Sequence, residues 1–420
     1  MSLYRRDFLR ATAAAAAALT LPRIARARAR PHVVVVGGGF GGATAAKYLR
    51  MWSEGAVEVS LIEREAAFVS CPMSNLVIGG LKGMADITLD YERLRANWGV
   101  RVITDEALGV DPVRRSVRTA RHGKIAGDRL VLAPGVAFES ARIEGLAGKE
   151  ERIPHAWKAG PQTAILRAQL EAMPDGGVFA MTIPRAPYRC PPGPYERACV
   201  VAHYLRTTKP RSKLLVLDAN EGIIAKKALF ERAFARYGTM IEYRPNSTLL
   251  AVDAATREAE FEFERVRADV LNVIPPMRAG ELATRSGLAL VNGAWAEVDW
   301  LAFGARGMPG VHVIGDAVFP APGMPKSGHM ANQHAKVVAA AILNELAGLP
   351  PNPTPVVMNT CYSFVDDRSA MHVASVHQYD AAKAQLLPVP GAGGLSEEAS
   401  VAEGRTALKW AHHIWADTLD

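Results

Sequence analysis

The four cysteines of this sequence carry its most reactive side chains: Cys71, Cys190, Cys199 and Cys361. None belongs to a C-x-x-C pair, and no two histidines have the spacing of zinc ligands, so the sequence predicts no metal site. Thiols can instead join in disulfides, and four cysteines allow three complete pairings that the sequence alone does not separate. Disulfide or thiol chemistry is therefore the first expectation.

The setting of Cys190 is unusual. It stands in "RCPPGPYERA", directly after the strand-like run "GGVFAMTIP". A protein that binds a second dinucleotide would carry a G-x-G-x-x-G loop at such a place. Here prolines stiffen the loop and withhold backbone N–H groups. The residues alone leave three possibilities open: a structural disulfide, a pair of buried thiols, or a reactive cysteine.

A nucleotide-binding motif begins the chain's first α/β unit. "PHVVVVGGGFGGATAAKYLR" reads as a buried strand, a glycine turn and a helix. Gly37, Gly39 and Gly42, with Gly38 between them, occupy the G-x-G-x-x-G positions that permit a tight turn and a close approach of the backbone to a pyrophosphate. A second strand, "VEVSLIE", ends in Glu63, where a carboxylate can bind ribose hydroxyls. Together these features predict a dinucleotide site.

Two later segments favour FAD over NAD. "DRLVLAPG" (128–135) is a strand that ends in a tight turn, and "GVHVIGDAVF" (310–319) is a strand that delivers Asp316 to a loop. The Asp316 carboxylate is suited to accept hydrogen bonds from the ribityl chain. Each segment alone could be an ordinary strand end, but their order around one glycine motif predicts an FAD domain.

"MPKSGHMANQHAKVVAAA" predicts a helix that begins near residues 325–327. The positive end of its dipole, with Lys326 beside it, would stabilise a negatively charged reduced flavin. The alternative is an ordinary amphipathic helix with a solvent-exposed lysine.

These elements predict an α/β fold with two Rossmann-like nucleotide-binding domains. We expect an FAD-binding domain made of residues 31–145 and 281–350, a second, degenerate nucleotide-binding-like domain at 146–280, and a C-terminal α+β domain at 351–420. The C-terminal part contains a Pro/Gly-rich stretch near 388–395, predicted to be a loop, and the segment "ALKWAHHIWADTLD". Ala407, Trp410 and Ile414 share one helical face of that segment. Because the segment has few Lys or Arg, docking on the protein is favoured over a membrane-surface role.

The first 29 residues carry most of the positive charge of the chain. The net charge is +7, and the first 29 residues hold six Arg and one Asp, so the remainder carries only +2. Nucleic-acid binding therefore has no support. The segment 1–29, with Arg5 and Arg6, a short apolar run and "ARARA", matches a twin-arginine signal peptide, which predicts export of a folded protein to the bacterial periplasm. The alternative is an alanine-rich N-terminal helix. No later stretch is apolar enough for an integral membrane segment.

The motifs resemble those of the flavoprotein subunit of flavocytochrome c sulfide dehydrogenase, over essentially the whole mature length. The matching stretches are "VVVVGGGFGGATAAKYL", "CPMSNLVIGG", "HAWKAGPQTAILRAQLE", "RCPPGPYERA", "NVIPPMRAG", "VIGDA", "MPKSGHMANQHAKVVAAA" and "NTCYS". The resemblance implies the glutathione-reductase-like arrangement, in which the C-terminal domain is an interface domain.

The resemblance also implies roles for individual residues. Cys71 would hold FAD covalently, and Cys190 and Cys361 would form a redox-active disulfide over the flavin. Glu196 would be an acid/base in that pocket, and Trp410 would border it. Cys199 has no counterpart in the family motif and could compete with Cys190 for oxidation.

The implied reaction is oxidation of sulfide to sulfur or polysulfide. Sulfide would open the disulfide by exchange, leaving a persulfide and a thiolate that reduces the flavin. No NAD(P) would bind, because the second glycine loop is missing. The chain has no C-x-x-C-H and hence no c-type haem of its own. Electrons would pass to a c-type cytochrome subunit in a heterodimer.

Three alternatives remain at this stage. A sulfide:quinone oxidoreductase shares the fold and chemistry but must contact a membrane. An NAD(P)H-dependent disulfide reductase would need the missing glycine loop. A non-catalytic flavin-binding subunit would only stabilise a cytochrome, and it would keep its function without Cys190.

Overall fold

The structure is a computed structural model that describes residues 30–420, so the predicted leader at 1–29 lies outside the described residues. Residues Pro31–Asp420 form one unit by their contacts. Within it the α-helices are α1 (Phe40–Trp52), α2 (Ser74–Ile78), α3 (Glu92–Trp98), α4 (Pro161–Ala172), α5 (Gly193–Thr208), α6 (Lys227–Ala235), α7 (Glu281–Arg285), α8 (Gly328–Leu346) and α9 (Val401–Leu419).

The strands, in chain order, are β1 (His32–Val36), β2 (Glu58–Glu63), β3 (Phe68–Val69), β4 (Thr88–Leu89), β5 (Arg101–Thr104), β6 (Ala107–Asp111), β7 (Ser116–Thr119), β8 (Lys124–Ala126), β9 (Arg129–Leu132), β10 (Val136–Phe138), β11 (Val178–Ile183), β12 (Lys213–Asp218), β13 (Ile241–Arg244), β14 (Leu249–Asp253), β15 (Glu258–Phe261), β16 (Arg265–Arg267), β17 (Val270–Val273), β18 (Met277–Ala279), β19 (Leu290–Val291), β20 (Trp295–Ala296), β21 (Val311–Val313), β22 (Val356–Phe364), β23 (Ala370–Asp380) and β24 (Gln385–Leu395).

The first parallel sheet has the order β21-β9-β1-β2-β5. Its central strand β1 is a run of four valines, all buried, as expected for a strand covered on both faces. β1 pairs with β2 on one side and with β9 on the other, so the turn after β1 lies at the carboxyl edge of the sheet. The late strand β21 joins this sheet beside β9 and brings the residues after it to the same edge.

The second parallel sheet has the order β13-β12-β11-β17 and repeats the strand–turn–helix–strand pattern of the first. β11 leads through the cysteine loop into α5, and β12 follows, in parallel with β11. The chain crosses between the two sheets at β10 and β18, which pair antiparallel with each other. Both carboxyl edges therefore present a loop that precedes a helix N-terminus.

The C-terminal region is an antiparallel sheet, β22-β23-β24, followed by α9. The predicted Pro/Gly-rich loop near 388–395 is wrong, because these residues belong to β24. Prolines are tolerated there since β24 lies at the edge of its sheet, where one row of N–H groups needs no strand partner. The pairing of β23 with β24 is also irregular between Ser375 and His377.

Helix α9 packs on the protein, as the docking interpretation predicts. Its Ala407 and Ile414 are buried, and the Thr44 hydroxyl in α1 donates to the Thr418 hydroxyl (3.3 Å). The Lys47 ammonium of α1 donates to the last carbonyls of α9, at Ala416 (2.9 Å) and residue 417 (3.0 Å). No helix within residues 30–420 combines the length and the apolar character needed to cross a membrane.

Candidate active site

The glycine loop between β1 and α1 has the backbone that its sequence predicts. Gly37 adopts φ +97°, and a Cβ there would lie 2.3 Å from the Ala133 carbonyl oxygen. A Cβ on Gly42 would lie 1.8 Å from the Gly37 carbonyl oxygen, so helix and turn approach more closely than any side chain allows. A Cβ on Gly39 would meet nothing within 4 Å. The space above Gly39 is thus open for a ligand.

Glu63, at the end of β2, closes one side of this loop. Its carboxylate accepts the N–H of Gly38 (2.5 Å) and the N–H of Glu65 (2.9 Å). The Tyr91 hydroxyl donates to the Gly38 carbonyl (3.0 Å). The predicted acid therefore lies beside the predicted glycine turn, as a ribose-binding carboxylate must.

Asp316 and Lys326 lie together at the same edge of the sheet. Asp316 belongs to a short 3-10 turn after β21, and burial raises the pKa of its carboxyl group. The buried Lys326 ammonium donates to the carbonyl of Asp316 (2.9 Å) and to that of Val318, and it lies 3.7 Å from the centre of the Trp295 ring. Burial lowers the pKa of Lys326 to about 7. Lys326 is therefore not a solvent-exposed lysine.

Helix α8 begins close to the predicted position, at Gly328. Ser327 is its N-cap, and the Ser327 hydroxyl accepts the N–H of Met330 (3.0 Å). The free N–H groups of the first turn make this end of the helix positive.

Polar atoms left without partners support a bound dinucleotide here. Asp316 Oδ1, Arg189 Nη2 and His334 Nε2 are buried and have no hydrogen-bond partner within the described chain. Buried polar groups are almost always hydrogen-bonded, so such atoms at a cleft are suited to bind a ligand. With the open space above Gly39, they fit a long cofactor with a phosphate at α1 and a polyol near Asp316.

The loop that carries Cys190 reaches this edge from the second sheet. The Cys190 N–H donates to the Lys326 carbonyl (2.8 Å), and the residue has φ +58°, a left-handed conformation that is uncommon for cysteine. The Trp157 indole N–H donates to the Arg189 carbonyl (3.0 Å) and holds the loop from the other side. A Cβ on Gly193 would lie 2.8 Å from Cys190 Sγ, so glycine makes room for the sulfur.

Cys361 approaches from β22 in the C-terminal region. The Asn359 amide faces its sulfur, with Nδ2 3.3 Å from Cys361 Sγ, and the Ser327 hydroxyl donates to Asn359 Oδ1 (2.6 Å). Burial raises the pKa of the Cys190 thiol, and the proximity of Cys361 and of Glu196 raises it further. The structure thus brings Cys190 and Cys361 into one pocket, where both are free thiols. The predicted disulfide between them stays a prediction.

Glu196 lies in the first turn of α5, beside both cysteines. Its carboxylate accepts the N–H of Phe364 (2.9 Å) and the side-chain amide of Asn75 (2.8 Å). Burial raises the pKa of Glu196 above its ordinary value, while these two hydrogen bonds oppose the rise. A carboxyl group in this state exchanges a proton nearer to neutral pH than an exposed glutamate does.

Arg197, next to Glu196, is among the largest fully buried side chains of the described residues. Its guanidinium donates to the Asn75 and Asn272 side chains (3.0 and 2.9 Å) and to the carbonyls of His155 and Ala156 (2.8 and 2.6 Å). It also lies 4.7 Å from the Trp157 ring. Arg197 therefore ties together the segments that surround the Cys190 loop.

Lys226 also belongs to the pocket of Cys190 and Cys361, although no sequence motif predicted it. Its side chain is buried, at 7% relative exposure, and its ammonium donates to the Cys361 carbonyl (2.8 Å), the Ser363 hydroxyl (3.0 Å) and the Met371 carbonyl (3.0 Å). Burial lowers its pKa to about 8. In sequence it is one of two adjacent lysines before a helix, and only its left-handed backbone (φ +54°) turns it inward.

At the second unit's counterpart of the glycine loop, tyrosines fill the site. Asp218 ends β12, as Glu63 ends β2, but its Oδ2 accepts the hydroxyls of Tyr195 (2.8 Å) and Tyr243 (2.9 Å). Tyr195 is fully buried. The carboxylate that could bind a ribose is thus already used within the protein.

The remaining predicted residues are Cys71, Trp410 and Cys199. Cys71 is half-buried in the segment before α2, and its carbonyl accepts the hydroxyl of Ser74 (2.7 Å). Trp410 is half-buried on α9, and its ring centre lies 5.9 Å from that of Tyr362, the neighbour of Cys361. Cys199 is fully buried inside α5, and burial holds the pKa of its thiol well above the usual range.

Comparison with known proteins identifies the family. The protein-family model described as "Sulfide dehydrogenase (flavocytochrome c) flavoprotein chain, central" matches residues 163–275. A second family model, "Flavocytochrome c sulphide dehydrogenase, flavin-binding", matches residues 353–419. The sulfide dehydrogenase flavoprotein chain of Chlorobaculum thiosulfatiphilum is 60% identical over 46 residues, which are 94% of that sequence and 11% of this one. The chain belongs to the flavocytochrome c sulfide dehydrogenase flavoprotein family.

The same comparisons reach a second, related group. The model "Pyridine nucleotide-disulphide oxidoreductase" matches residues 31–169. Sulfide-quinone reductase of Aquifex aeolicus is 25% identical over 355 residues, or 79% of this chain and 80% of that one. The mitochondrial sulfide:quinone oxidoreductase of Mus musculus is 25% identical over 334 residues, or 74% and 71%.

A solved structure agrees on the fold. The sulfide:quinone oxidoreductase of Aquifex aeolicus superposes with a TM-score of 0.77, at 21% identity, over 92% of this chain and 91% of that one. The predicted fold class and the resemblance are therefore confirmed. The chain is an oxidoreductase of a sulfide-oxidising, FAD-binding flavoprotein family.

Proposed function

We propose that this flavoprotein oxidises sulfide to sulfur or polysulfide at a Cys190–Cys361 disulfide and passes the electrons, through FAD, to a c-type cytochrome subunit. The observation that carries the proposal is the meeting of two distant cysteines in one pocket beside Glu196. The Cys190 backbone is hydrogen-bonded to Lys326, next to the unpartnered Asp316 carboxylate. A disulfide in this pocket would adjoin the predicted flavin site.

The protein's own residues would divide the work as follows. The rigid Cys190 loop aims one sulfur of the disulfide, and Glu196 accepts or returns a proton as sulfide and persulfide react. FAD, when bound, supplies a two-electron acceptor that can release its electrons singly. The glycine loop and Glu63 would hold its phosphates and ribose, Asp316 its ribityl chain, and Cys71 would attach it covalently.

We further propose that the second unit binds no NAD(P). The Tyr195 and Tyr243 hydroxyls already use the carboxylate of Asp218, and a cysteine loop stands where a glycine loop would be needed. NADH should therefore leave the flavin absorption of the purified protein unchanged under anaerobic conditions, while sulfide should bleach it.

The decisive experiment compares Cys190→Ser with wild type in anaerobic mixing with sulfide. We expect the rate of sulfide-dependent flavin reduction to fall by at least about 10³-fold in the variant, an effect of the size that removal of a catalytic nucleophile produces. Dithionite should still reduce its flavin. Cys199→Ala is the matched control, because Cys199 is buried away from solvent inside α5. Full turnover by Cys190→Ser would refute the mechanism.

A purely structural disulfide would give a different result. A disulfide that closes the long loop from Cys190 to Cys361 could stabilise the fold by about 4–5 kcal/mol on a chain-entropy estimate. Under that reading Cys190→Ser would melt earlier, but its folded fraction would still turn over. Peptide mapping without reductant should recover Cys190 joined to Cys361, and a linkage to Cys199 would contradict the proposal.

Sulfide:quinone oxidation is the second candidate, because relatives with that name match about three-quarters of the chain or more. The two functions differ in the electron acceptor. We expect sulfide-dependent reduction of a soluble c-type cytochrome and none of a short-chain quinone. A non-catalytic flavin-binding subunit would reduce neither acceptor. We also propose export to the periplasm by the twin-arginine pathway.

A further inference from the structure

Lys226 carries a buried charge. Among residues 30–420, no Asp or Glu lies within ion-pair distance of its ammonium, which is bonded to two carbonyls and a hydroxyl instead. Such burial is costly for an ammonium unless a nearby negative charge compensates it. The three acceptors lie on the neighbouring strands β22 and β23 and hold the ammonium against them.

The charges that face Lys226 come from several elements. Cys361 on β22, Glu196 and Cys190 at the start of α5, and Glu403 on α9 all raise the pKa of Lys226, and Cys361 has the largest influence of the four. Burial is nevertheless the largest effect and lowers that pKa to about 8. Among these four groups, a negative charge on Cys361 therefore stabilises the protonated form of Lys226 most.

The two sulfurs have different surroundings. Lys226 and the Asn359 amide both favour a negative charge on Cys361, although burial still raises the pKa of its thiol. At Cys190, Glu196 and Cys361 disfavour the anion and Arg189 favours it. In thiol–disulfide exchange the thiol of lower pKa leaves faster. The pocket is therefore asymmetric, with the better leaving group at Cys361.

We propose that Lys226 is a positioning residue whose fixed charge stabilises the thiolate of Cys361 when sulfide opens the disulfide. The inference rests on the proposed function. HS⁻ attacks Cys190 Sγ, a new S–S bond forms to give Cys190–S–SH, and the Cys190–Cys361 bond breaks. The electron pair of the broken bond goes to Cys361 as its thiolate. The sulfide sulfur is oxidised and the protein disulfide is reduced, so the step balances without another reagent.

The test measures the thiolate directly and does not depend on sulfide. The holoprotein is reduced with dithiothreitol under anaerobic conditions and alkylated with iodoacetamide at about pH 7, where Lys226 still carries its proton. The Cys361 peptide is mapped over time, because only the thiolate reacts. In Lys226→Met we expect the alkylation rate of Cys361 to fall about tenfold, which is the loss of thiolate that a shift of one pKa unit produces. Lys226→Arg should keep the rate near that of wild type.

Lys227→Met is the matched control. It removes the neighbouring charge, whose side chain is 65% exposed and faces Glu231 on the surface. Its Cys361 alkylation rate should equal that of wild type. An unchanged Cys361 alkylation rate in Lys226→Met that keeps its flavin and its circular dichroism would overturn the proposal, since a merely structural lysine would leave the ionisation of the thiol unchanged.

A second readout remains if Lys226→Met does not fold. Lys226 is charged below about pH 8 and loses its proton above it, so its help to the thiolate is lost as pH rises through about 8. Sulfide-dependent flavin reduction should fall over that range in wild type, and the fall should move to higher pH in Lys226→Arg, because arginine stays protonated. An unmoved fall overturns the proposal. If instead sulfide fails to bleach wild-type flavin while Lys226→Met still slows the alkylation of Cys361, the proposed function is refuted and the charge assignment stands.

Discussion

Replacing Gly39 by alanine tests a position of the glycine loop where an added Cβ has free space around it. Gly39 has φ −73°, which alanine adopts without strain, and its added Cβ would touch nothing within 4 Å. Less freedom in the unfolded chain would stabilise by about 0.4–1 kcal/mol. Alanine is a poorer N-cap than glycine for α1, which offsets this gain by a similar amount. The stability of the flavin-free protein should therefore change by less than about 1 kcal/mol.

Cofactor binding should respond very differently. The same Cβ would stand where the backbone must approach the pyrophosphate, and such overpacking costs about 1–3 kcal/mol. That range corresponds to about 5- to 150-fold weaker binding at 25 °C. The assay is FAD titration of flavin-free protein, followed by fluorescence quenching, in a Cys71→Ser background so that covalent attachment does not mask affinity.

Gly42→Ala provides the comparison. Its Cβ would lie 1.8 Å from the Gly37 carbonyl oxygen, so the flavin-free protein itself should melt earlier. The two variants should behave oppositely: Gly39→Ala should fold normally and bind FAD poorly, whereas Gly42→Ala should fold poorly. Unchanged FAD affinity in Gly39→Ala would mean that no phosphate approaches this turn.

Three further predictions follow from the proposed assignments. Acid precipitation should leave yellow colour in the pellet of wild type and release it from Cys71→Ser, and freely extracted wild-type flavin would refute covalent attachment. Because burial raises the pKa of Glu196, sulfide-dependent flavin reduction should slow as the pH drops through that raised pKa, where the carboxylate can no longer accept a proton. In stopped-flow measurements Glu196→Gln should reduce its flavin more slowly, and its pH profile should lack this inflection. If the variant retains the inflection, the inflection belongs to another group. Changing Arg5 and Arg6 to lysine should leave the precursor in the cytoplasm on fractionation, and normal export would exclude the twin-arginine route.

The parts of the site that were predictable from sequence are those fixed by local backbone geometry. Gly42 is required by its 1.8 Å approach to the Gly37 carbonyl oxygen within one strand–turn–helix unit, and Gly37 by its positive φ, so their spacing is visible in the sequence. Asp316 follows a strand and a glycine with φ +74°, which is again a local signature. The motif resemblance then linked Cys190 and Cys361, which no local pattern relates.

The parts that were missed depend on contacts between distant segments. Lys226 and Lys227 are the same residue type side by side, yet one is buried at the cysteine pocket and the other is exposed. Only the hydrogen bonds of Lys226 to Cys361, Ser363 and Met371 distinguish them. Asp218 looks like a second ribose-binding acid until Tyr195 and Tyr243 are seen to donate to it. The prediction of a loop near 388–395 was wrong because its prolines lie in an edge strand, a position that the local sequence does not reveal.

The late position of β21 and α8 has a consequence for how the protein matures. β21 pairs with β9 in the first sheet, and α8 packs on α1, yet both follow the entire second unit in the chain. During synthesis from the N-terminus, the glycine loop therefore emerges long before Asp316 and the helix that completes its surroundings. Ribosome-bound chains that stop before β21 should bind no FAD, so cofactor loading is confined to the interval after about three-quarters of translation.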